Sequence, residues 1–213
     1  MNNYLLLTRS SSFQNYCINE LYNNKFLTHV IIEEGHSLQL NKFQIVKNNI
    51  LNILNEFKNI YNLFYKIRLF FMYNVFYGNN DFHDQRILKN YKDYKLDNLT
   101  KYKINNVNHP KIINFIKQLN PKLIYVFGTG MISKSTIDSI KVKMINLHWG
   151  ISPFYRGEGI VTALAFSGMK NLGVTIHELD HTSDGGRIVY QENIKIDKFD
   201  NFYSIGLKMS VLG

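Results

Sequence analysis

Three polar side chains in the second half of the chain have the types and the spacing needed for acyl-group chemistry. Asn146 and His148 end a short apolar run that begins at Met144. Side chains two residues apart in a β-strand lie on one face, about 7 Å apart along the strand. Asp184 follows in the Ser-Asp-Gly-Gly turn at 183–186, where two glycines permit positive φ and a close backbone approach to a ligand. An amide, an imidazole and a carboxylate in such places predict an acyl-transfer site.

Each of the three side chains has a definite use in that chemistry. His148 can serve as a base or proton shuttle, because imidazole titrates near neutral pH. Asn146 can donate its amide hydrogen to a tetrahedral oxyanion, a contact worth on the order of 3 kcal/mol. Asp184 can orient and stabilise the imidazole, or accept a proton through water. Any one of them alone is better explained as a structural residue, so the prediction depends on their combination.

The three residues belong to a longer series of motifs. In chain order these are Asn146-x-His148, Ser152-Pro153-x-x-Arg156-Gly157, Gly173-Val174-Thr175-Ile176-His177 and Asp180-x-x-x-Asp184-x-Gly186. Together they resemble the signature of the folate-dependent formyltransferases, in consistent order over roughly residues 105–195. That family includes enzymes acting on glycinamide ribonucleotide, on methionyl-tRNA and on nucleotide-linked amino sugars. At Trp149 this chain differs, because many members have proline there.

The resemblance implies a set of roles. Asn146, His148 and Asp184 match the catalytic residues, 10-formyltetrahydrofolate is the implied formyl donor, and no metal is implied. The implied folate-binding residues are Gly128, Thr129, Met131, Ile132 and Asp180, and the candidate acceptor-binding residues are Ser10, Ser11, Arg156 and His177. Ser10 and Ser11 are also candidates on physical grounds, because serines at a helix N-terminus can cap the helix or bind an anion.

Composition and charge set broad limits. The 213 residues suffice for one full-sized domain, and a hydrophobic fraction of 45% is ordinary for a globular protein. The single cysteine, Cys17, cannot form an internal disulfide, and the N-terminus does not resemble a signal peptide, so we expect a cytoplasmic protein. A net charge of +9 favours anionic ligands such as a folate tail or a diphosphate. The lysines are scattered and no nucleic-acid-binding module is visible, so we expect no nucleic-acid partner.

Hydrophobic patterning predicts the fold class. Apolar runs predict parallel strands at 4–8, 29–32 and 121–130, and alternating apolar and polar residues predict strands at 174–179 and 187–194. Helices are predicted over 12–21, 111–119 and 199–211. Strands alternating with helices indicate an α/β protein with a Rossmann-like, doubly wound, mostly parallel sheet. Ligands bind such sheets at the carboxyl ends of the strands, where the candidate residues fall.

An aromatic stretch interrupts this pattern. A helix is predicted over 43–64, and residues 65–77 are strongly aromatic but too short and too polar to span a membrane. This stretch could pack on the domain, contact a second subunit or lie on a membrane surface, so a homodimer stays open. We interpret residues 61–97 as a helical insertion in a single catalytic domain covering 1–213, similar to the longer N-terminal halves of some sugar formyltransferases.

Two features guide the choice of acceptor. Ser10 to Ser12 stand where glycinamide ribonucleotide enzymes carry a glycine-rich phosphate loop, and fewer than twenty residues follow Ile194, so no C-terminal tRNA-binding domain is expected. We therefore expect formylation of a nucleotide-linked amino sugar, for surface polysaccharide, O-antigen or lipopolysaccharide synthesis. The alternatives are glycinamide ribonucleotide or methionyl-tRNA as acceptor, or a folate-, nucleotide- or RNA-binding protein without turnover.

Overall fold

A computed structural model describes residues 3–34, 87–88, 96, 98–156, 172–182, 184–198 and 200–213. Its strands are β1 (Tyr4–Thr8), β2 (His29–Glu33), β3 (Thr100–Ile104), β4 (Leu123–Phe127), β5 (Met144–Trp149), β6 (Gly173–Glu178) and β7 (Ile188–Asn193). The helices in the described part are α1 (Ser12–Asn23), α2 (Pro110–Leu119), α3 (Lys134–Ile140) and α4 (Phe202–Leu212).

The strands form one seven-stranded sheet in the order β3-β2-β1-β4-β5-β6-β7. The five strands from β3 to β5 are parallel, and β6 and β7 are added antiparallel at one edge. The strand order changes direction between β1 and β4, which is the switch point where open α/β sheets form a crevice at the carboxyl ends of their strands. The predicted α/β class with a mostly parallel sheet is confirmed.

Helices cover both faces of the sheet because the parallel strands are apolar on both sides. On one face, Leu5, Leu7 and Val126 pack in a cluster that includes Ile116 of α2 and Ile140 of α3. On the opposite face, α1 packs in a cluster with β1 and β4, and α4 packs with β5 and β6. This layering leaves the carboxyl ends of the central strands uncovered by their own helices, so those ends can carry a site.

The helix α2 shows how local sequence sets an element's limits. Pro110 occupies the first turn, where a missing N–H costs nothing, and the side chain of His109 accepts a hydrogen bond from the Lys111 N–H at 3.2 Å. The helix ends where Asn120 adopts a left-handed conformation with φ of 45°. The helix predicted over 111–119 is therefore confirmed.

Sequence and structure differ at several elements. Hydrophobic patterning predicts neither strand β3 nor helix α3, and β2 extends to Glu33, one residue beyond the strand predicted at 29–32. The predicted helix at 43–64, the aromatic stretch 65–77 and most of the proposed insertion 61–97 lie outside the described residues. Among the helices that are described, none has the length and apolar character to cross a membrane.

Candidate active site

Asp184 is the centre of the predicted site, and three side chains contact its carboxylate. The Asn146 Nδ2 donates to Oδ1 at 3.1 Å, and His177 Nε2 lies 3.4 Å from the same oxygen. The Nδ1 of His148 lies 3.3 Å from Oδ2. The two residues predicted to project together from β5 therefore do so, and they meet the carboxylate that the sequence places 36 residues beyond His148.

Strand geometry brings these side chains together. Asn146 and His148 lie on the same side of β5, while Leu147 between them packs into the clusters under α1 and α4. In the antiparallel pairing of β5 with β6, Asn146 lies opposite His177. The turn after β6 then returns Asp184 over this pair. Two adjacent strands and one turn are enough to assemble the site.

The backbone conformation of this turn differs from the prediction. Positive φ occurs at Asp184 itself, at 46°, and the following glycines, Gly185 and Gly186, do not adopt it. Aspartate tolerates the left-handed region better than most residues. The glycines are required for space, because a Cβ at Gly186 would lie 1.9 Å from the Glu178 carbonyl oxygen and one at Gly185 would lie 2.2 Å from Thr182 Oγ1. They permit a close approach to the protein's own chain.

His148 is buried, with 7% of its surface exposed, and both of its ring nitrogens face oxygen atoms. Nδ1 faces Asp184, and Nε2 contacts the Tyr155 carbonyl oxygen at 2.5 Å. With its proton on Nδ1, a neutral ring donates to Asp184 and leaves Nε2 as the nitrogen that can accept. To take up a proton at Nε2, the ring has to be in this form and has to exchange the contact with the Tyr155 carbonyl for one with a reacting group. No sequence pattern indicates that the Tyr155 carbonyl contacts this site.

His177 lies beneath the other site residues, with only 1% of its surface exposed. Its Nε2 lies 3.1 Å from the Asn146 Nδ2, and its Nδ1 lies 2.9 Å from the Glu178 carbonyl oxygen. Burial acts to lower the pKa of His177, but hydrogen bonds to Asp184 and to the Glu178 carbonyl outweigh it, so the pKa is raised above 6.5. The predicted acceptor contact does not fit this buried position. His177 supports Asn146 and Asp184 from below.

Four of the five predicted folate-binding residues lie at the carboxyl end of β4, next to the end of β5, and the fifth, Asp180, follows β6. Gly128 has φ of 71°, a left-handed conformation that favours glycine. The side chain of Met131 is 83% exposed, whereas Ile132 packs against the core under α2 and α3. Thr129 bonds the carbonyl of Gly130 at 2.9 Å. Ile132 is thus a core contact, and Met131 and the main chain of this turn are the parts open to a ligand.

The remaining predicted residues surround the site. Asp180 accepts hydrogen bonds from the Thr182 hydroxyl and amide, which lower its pKa. Arg156 is exposed, and its Nη1 would lie 3.4 Å from a Cβ placed on Gly185, so its guanidinium is beside the turn that carries Asp184.

Ser10 and Ser11 lie between β1 and α1. Ser11 is the residue before the helix, but its side chain makes no capping hydrogen bond and contacts Gln14 instead. The two hydroxyls are therefore at the carboxyl edge of the sheet, as predicted. Among the described residues, no group of three or more His, Cys, Asp and Glu side chains could hold a metal ion.

One buried carboxylate at this edge was missed by sequence reasoning. Glu33, the last residue of β2, is 7% exposed and accepts hydrogen bonds from the amides of Gly130 at 2.6 Å and Val107 at 3.1 Å. Its partners are 97 and 74 residues away in sequence, so no local pattern could indicate them. The two adjacent glutamates, Glu33 and Glu34, lie beyond the apolar run that predicts a strand at 29–32.

Comparison with known proteins adds to this geometry. The family model described as formyl transferase matches residues 75–210. The methionyl-tRNA formyltransferase of Caldicellulosiruptor saccharolyticus is 34% identical over 99 residues, covering 46% of this chain and 32% of that protein. The methionyl-tRNA formyltransferase of Borreliella afzelii is 35% identical over 102 residues, covering 47% of this chain and 32% of that protein. The chain thus matches about a third of the length of these curated relatives.

Solved structures share the fold at low sequence identity. The phosphoribosylglycinamide formyltransferase of Anaplasma phagocytophilum has a TM-score of 0.57 at 13% identity, covering 99% of this chain and 81% of that one. A sugar N-formyltransferase from Shewanella sp. FDAARGOS_354 has a TM-score of 0.52 at 15% identity, covering 99% of this chain and 64% of that one. At these identities the likeness concerns the fold alone.

Proposed function

The chain belongs to the formyl transferase family, and we propose that it transfers a formyl group from 10-formyltetrahydrofolate to the amino group of a nucleotide-linked amino sugar. The observation that carries the proposal is the meeting of Asn146 and His148 at Asp184, with contacts of 3.1 and 3.3 Å. These are the amide, imidazole and carboxylate that formyl transfer to an amine requires. The formyl donor is a substrate in this scheme, bound beside the turn at Gly128.

Amine chemistry assigns each residue a step. The acceptor attacks the formyl carbon as a neutral amine, through its lone pair, and its nitrogen loses a proton as the new bond forms. His148, held by Asp184, receives that proton, and the carbonyl oxygen becomes an oxyanion facing the Asn146 amide. Collapse of the tetrahedral intermediate breaks the bond between the formyl carbon and N10 of the folate. N10 takes up a proton from His148, and tetrahydrofolate and the formamide leave.

Two contacts of the site have to be exchanged before this step. The Asn146 Nδ2 donates to Asp184 at 3.1 Å and lies 3.1 Å from His177 Nε2, which accepts from it only when that ring nitrogen carries no proton. Donating to the oxyanion requires one of these contacts to be given up. The Tyr155 carbonyl similarly has to leave His148 Nε2.

The basic balance of the chain supports an anionic acceptor. A net charge of +9 favours a diphosphate or a phosphate, and the exposed Arg156 beside the Asp184 turn is a suitable contact for one. Ser10 and Ser11, in the place of a glycine-rich phosphate loop, favour an acceptor other than glycinamide ribonucleotide. A role in surface polysaccharide or lipopolysaccharide synthesis follows from such an acceptor, and the cytoplasmic location and a homodimer stay predictions.

Methionyl-tRNA is the second candidate acceptor. It is favoured by the names of the curated relatives that are 34% and 35% identical to this chain. The catalytic steps are the same for either acceptor, since both present a primary amine. The distinction therefore lies in the surface that surrounds the site.

An acceptor panel tests the proposal. The protein is incubated with 10-formyltetrahydrofolate and, in separate reactions, with amino-sugar nucleotides, glycinamide ribonucleotide and methionyl-tRNA, and products are examined for the mass of an added formyl group. We expect formylation of an amino-sugar nucleotide. If methionyl-tRNA alone is formylated, methionyl-tRNA is the acceptor and the amino-sugar assignment is wrong. If the folded protein formylates none of these amines, the proposed function is contradicted.

A further inference from the structure

The burial of Glu33 requires an explanation. Its carboxylate is placed among backbone amides, where Oε2 accepts from the Gly130 N–H at 2.6 Å and Oε1 accepts from the Val107 N–H at 3.1 Å. Arg9 lies 3.5 Å from Oε2, and its own side chain is 48% exposed. Burying a carboxylate costs free energy unless it is hydrogen-bonded, so the hydrogen-bond partners of Glu33 indicate what its burial serves. Glu33 binds the two loops that follow β3 and β4.

Asn108 holds the same region from another direction. Its Nδ2 donates to the Met131 carbonyl oxygen at 2.8 Å. Its Oδ1 accepts from the Ser133 N–H at 2.8 Å and from the Thr136 hydroxyl at 2.9 Å. Asn108 therefore bonds both sides of residue 132 and the first turn of α3.

The stretch held by these two side chains, residues 128–133, has no regular secondary structure. Glu33 and Asn108 bond it at three main-chain groups: the Gly130 N–H, the Met131 carbonyl and the Ser133 N–H. At Gly130 an added Cβ would lie 3.0 Å from Glu33 Oε2, so glycine lets the carboxylate sit against the chain. An irregular stretch without its own ladder of hydrogen bonds depends on such anchors for a single conformation.

We propose that Glu33 and Asn108 are positioning residues for the formyl donor, acting through the main chain of residues 128–133. This inference rests on the proposed function, in which the formyl donor is bound beside that stretch. Recognition by main-chain groups needs those groups to be correctly oriented before binding, because ordering a loop at binding costs affinity. Glu33 and Asn108 provide that order without touching the donor or the catalytic residues.

Two substitutions and one matched control test the inference. Glu33→Gln keeps the volume but turns an amide NH₂ toward either the Gly130 or the Val107 N–H. Asn108→Asp keeps the oxygen that accepts from Ser133 and sets a carboxylate oxygen against the Met131 carbonyl. Glu34→Gln is the control, because Glu34 is the adjacent carboxylate, is half exposed and pairs with Lys103.

The readouts are the dissociation constant for tetrahydrofolate and the turnover number at saturating donor. We expect Glu33→Gln and Asn108→Asp to weaken tetrahydrofolate binding about tenfold, equivalent to about 1.4 kcal/mol, with turnover at saturation changed less than about threefold. Glu34→Gln should bind as the wild type does. Hydrogen exchange at the Gly130 amide should be faster in Glu33→Gln than in the control.

The outcomes separate this inference from the proposed function. Folded Glu33→Gln and Asn108→Asp variants that bind tetrahydrofolate as tightly as the wild type would overturn it. If Glu33→Gln does not fold, Asn108→Asp decides in the same way. If the wild type binds no tetrahydrofolate, the proposed function fails and the donor role of these anchors fails with it. In that case, faster hydrogen exchange at the Gly130 amide in Glu33→Gln would show only that Glu33 anchors the turn.

Discussion

Among the described residues, the Asp184 carboxylate contacts Asn146 and His177 at Oδ1 and His148 at Oδ2. In the proposed mechanism, such a shared carboxylate orients the imidazole and favours its charged form during proton transfer. We therefore expect removal of the charge to affect the reaction more than the fold. The consequence can be measured for each partner separately.

We predict that His148→Ala and Asp184→Asn each lower turnover by a factor of about 100 or more. Both variants should fold and should bind tetrahydrofolate as the wild type does, because the proposed folate contacts lie on the turn after β4. Steady-state kinetics and tetrahydrofolate titration are the measurements.

An exposed histidine–aspartate pair provides a matched control. His181 and Asp138 lie 3.5 Å apart at the surface, with side chains 45% and 53% exposed, so His181→Ala and Asp138→Asn should leave turnover unchanged. Near-normal turnover in both His148→Ala and Asp184→Asn would remove the two residues from the mechanism.

The protonation of His177 gives a second prediction at this scale. Its pKa is raised above 6.5, since the hydrogen bonds to Asp184 and to the Glu178 carbonyl outweigh the opposing effect of burial. A raised folded-state pKa contributes stability that is fully present below pH 6.5 and is lost as the pH rises through the folded value. NMR titration of the His177 ring should therefore give a pKa above 6.5 in the wild type and a lower one in Asp184→Asn. A wild-type value below 6.5 would contradict this account.

At the scale of elements, the close packing of the turn 184–186 against β6 is what presents Asp184 to β5. A Cβ at Gly186 would lie 1.9 Å from the Glu178 carbonyl oxygen, far inside van der Waals contact. We predict that Gly186→Ala displaces the turn, lowers the stability by about 1–3 kcal/mol and lowers turnover. Thermal unfolding and steady-state kinetics measure both effects. A variant with unchanged melting temperature and turnover would show that the turn adjusts without moving Asp184.

Elements with strong local patterns could be predicted from sequence. The apolar runs of β1 and β4 and the Pro110 start of α2 have local causes. Strand β3 has the sequence Thr-Lys-Tyr-Lys-Ile. It lies at the edge of the described sheet and its lysines are exposed, so it lacks the apolar run that predicts a strand. Helix α3 has only seven residues and three of them are Ser or Thr, so its period is too short to detect.

The grouping of Asn146, His148 and Asp184 could be predicted because these proposed catalytic residues match a motif and two of them share one face of a strand. The contacts of Glu33, Asn108 and the Tyr155 carbonyl could not be predicted, because their partners are brought together only by tertiary structure. His177 shows the intermediate case. Its motif position marked it as a site residue, but only its burial against Asn146 showed that it lies behind the site.

At the scale of the whole molecule, the net charge of +9 makes a prediction about selectivity among anions. A basic surface that attracts a small anionic acceptor should show binding weakened only moderately by salt, because few charges are paired. A nucleic-acid partner that covers many phosphates would lose affinity by orders of magnitude between about 50 and 200 mM salt. Titration of the amino-sugar nucleotide and of tRNA across this range distinguishes them. Tight, steeply salt-dependent binding of tRNA without formylation of amino sugars would reverse our order of acceptors.

The central claim concerns Asn146, whose amide is proposed to face the oxyanion of formyl transfer. Asn146→Asp removes the donor at nearly unchanged volume, but it also sets a second carboxylate 3.1 Å from Asp184. Asn146→Ala removes the donor without adding charge, so the two variants are compared. A contact made mainly in the transition state affects turnover and leaves substrate binding nearly unchanged.

The decisive measurement is steady-state kinetics of Asn146→Ala and Asn146→Asp with the acceptor identified by the panel, alongside tetrahydrofolate titration. We expect turnover to fall about 100- to 1,000-fold in both variants, and further in Asn146→Asp, while the dissociation constant for tetrahydrofolate changes less than about threefold. Turnover within about threefold of the wild type in both folded variants would show that the oxyanion is stabilised elsewhere, and would contradict the account.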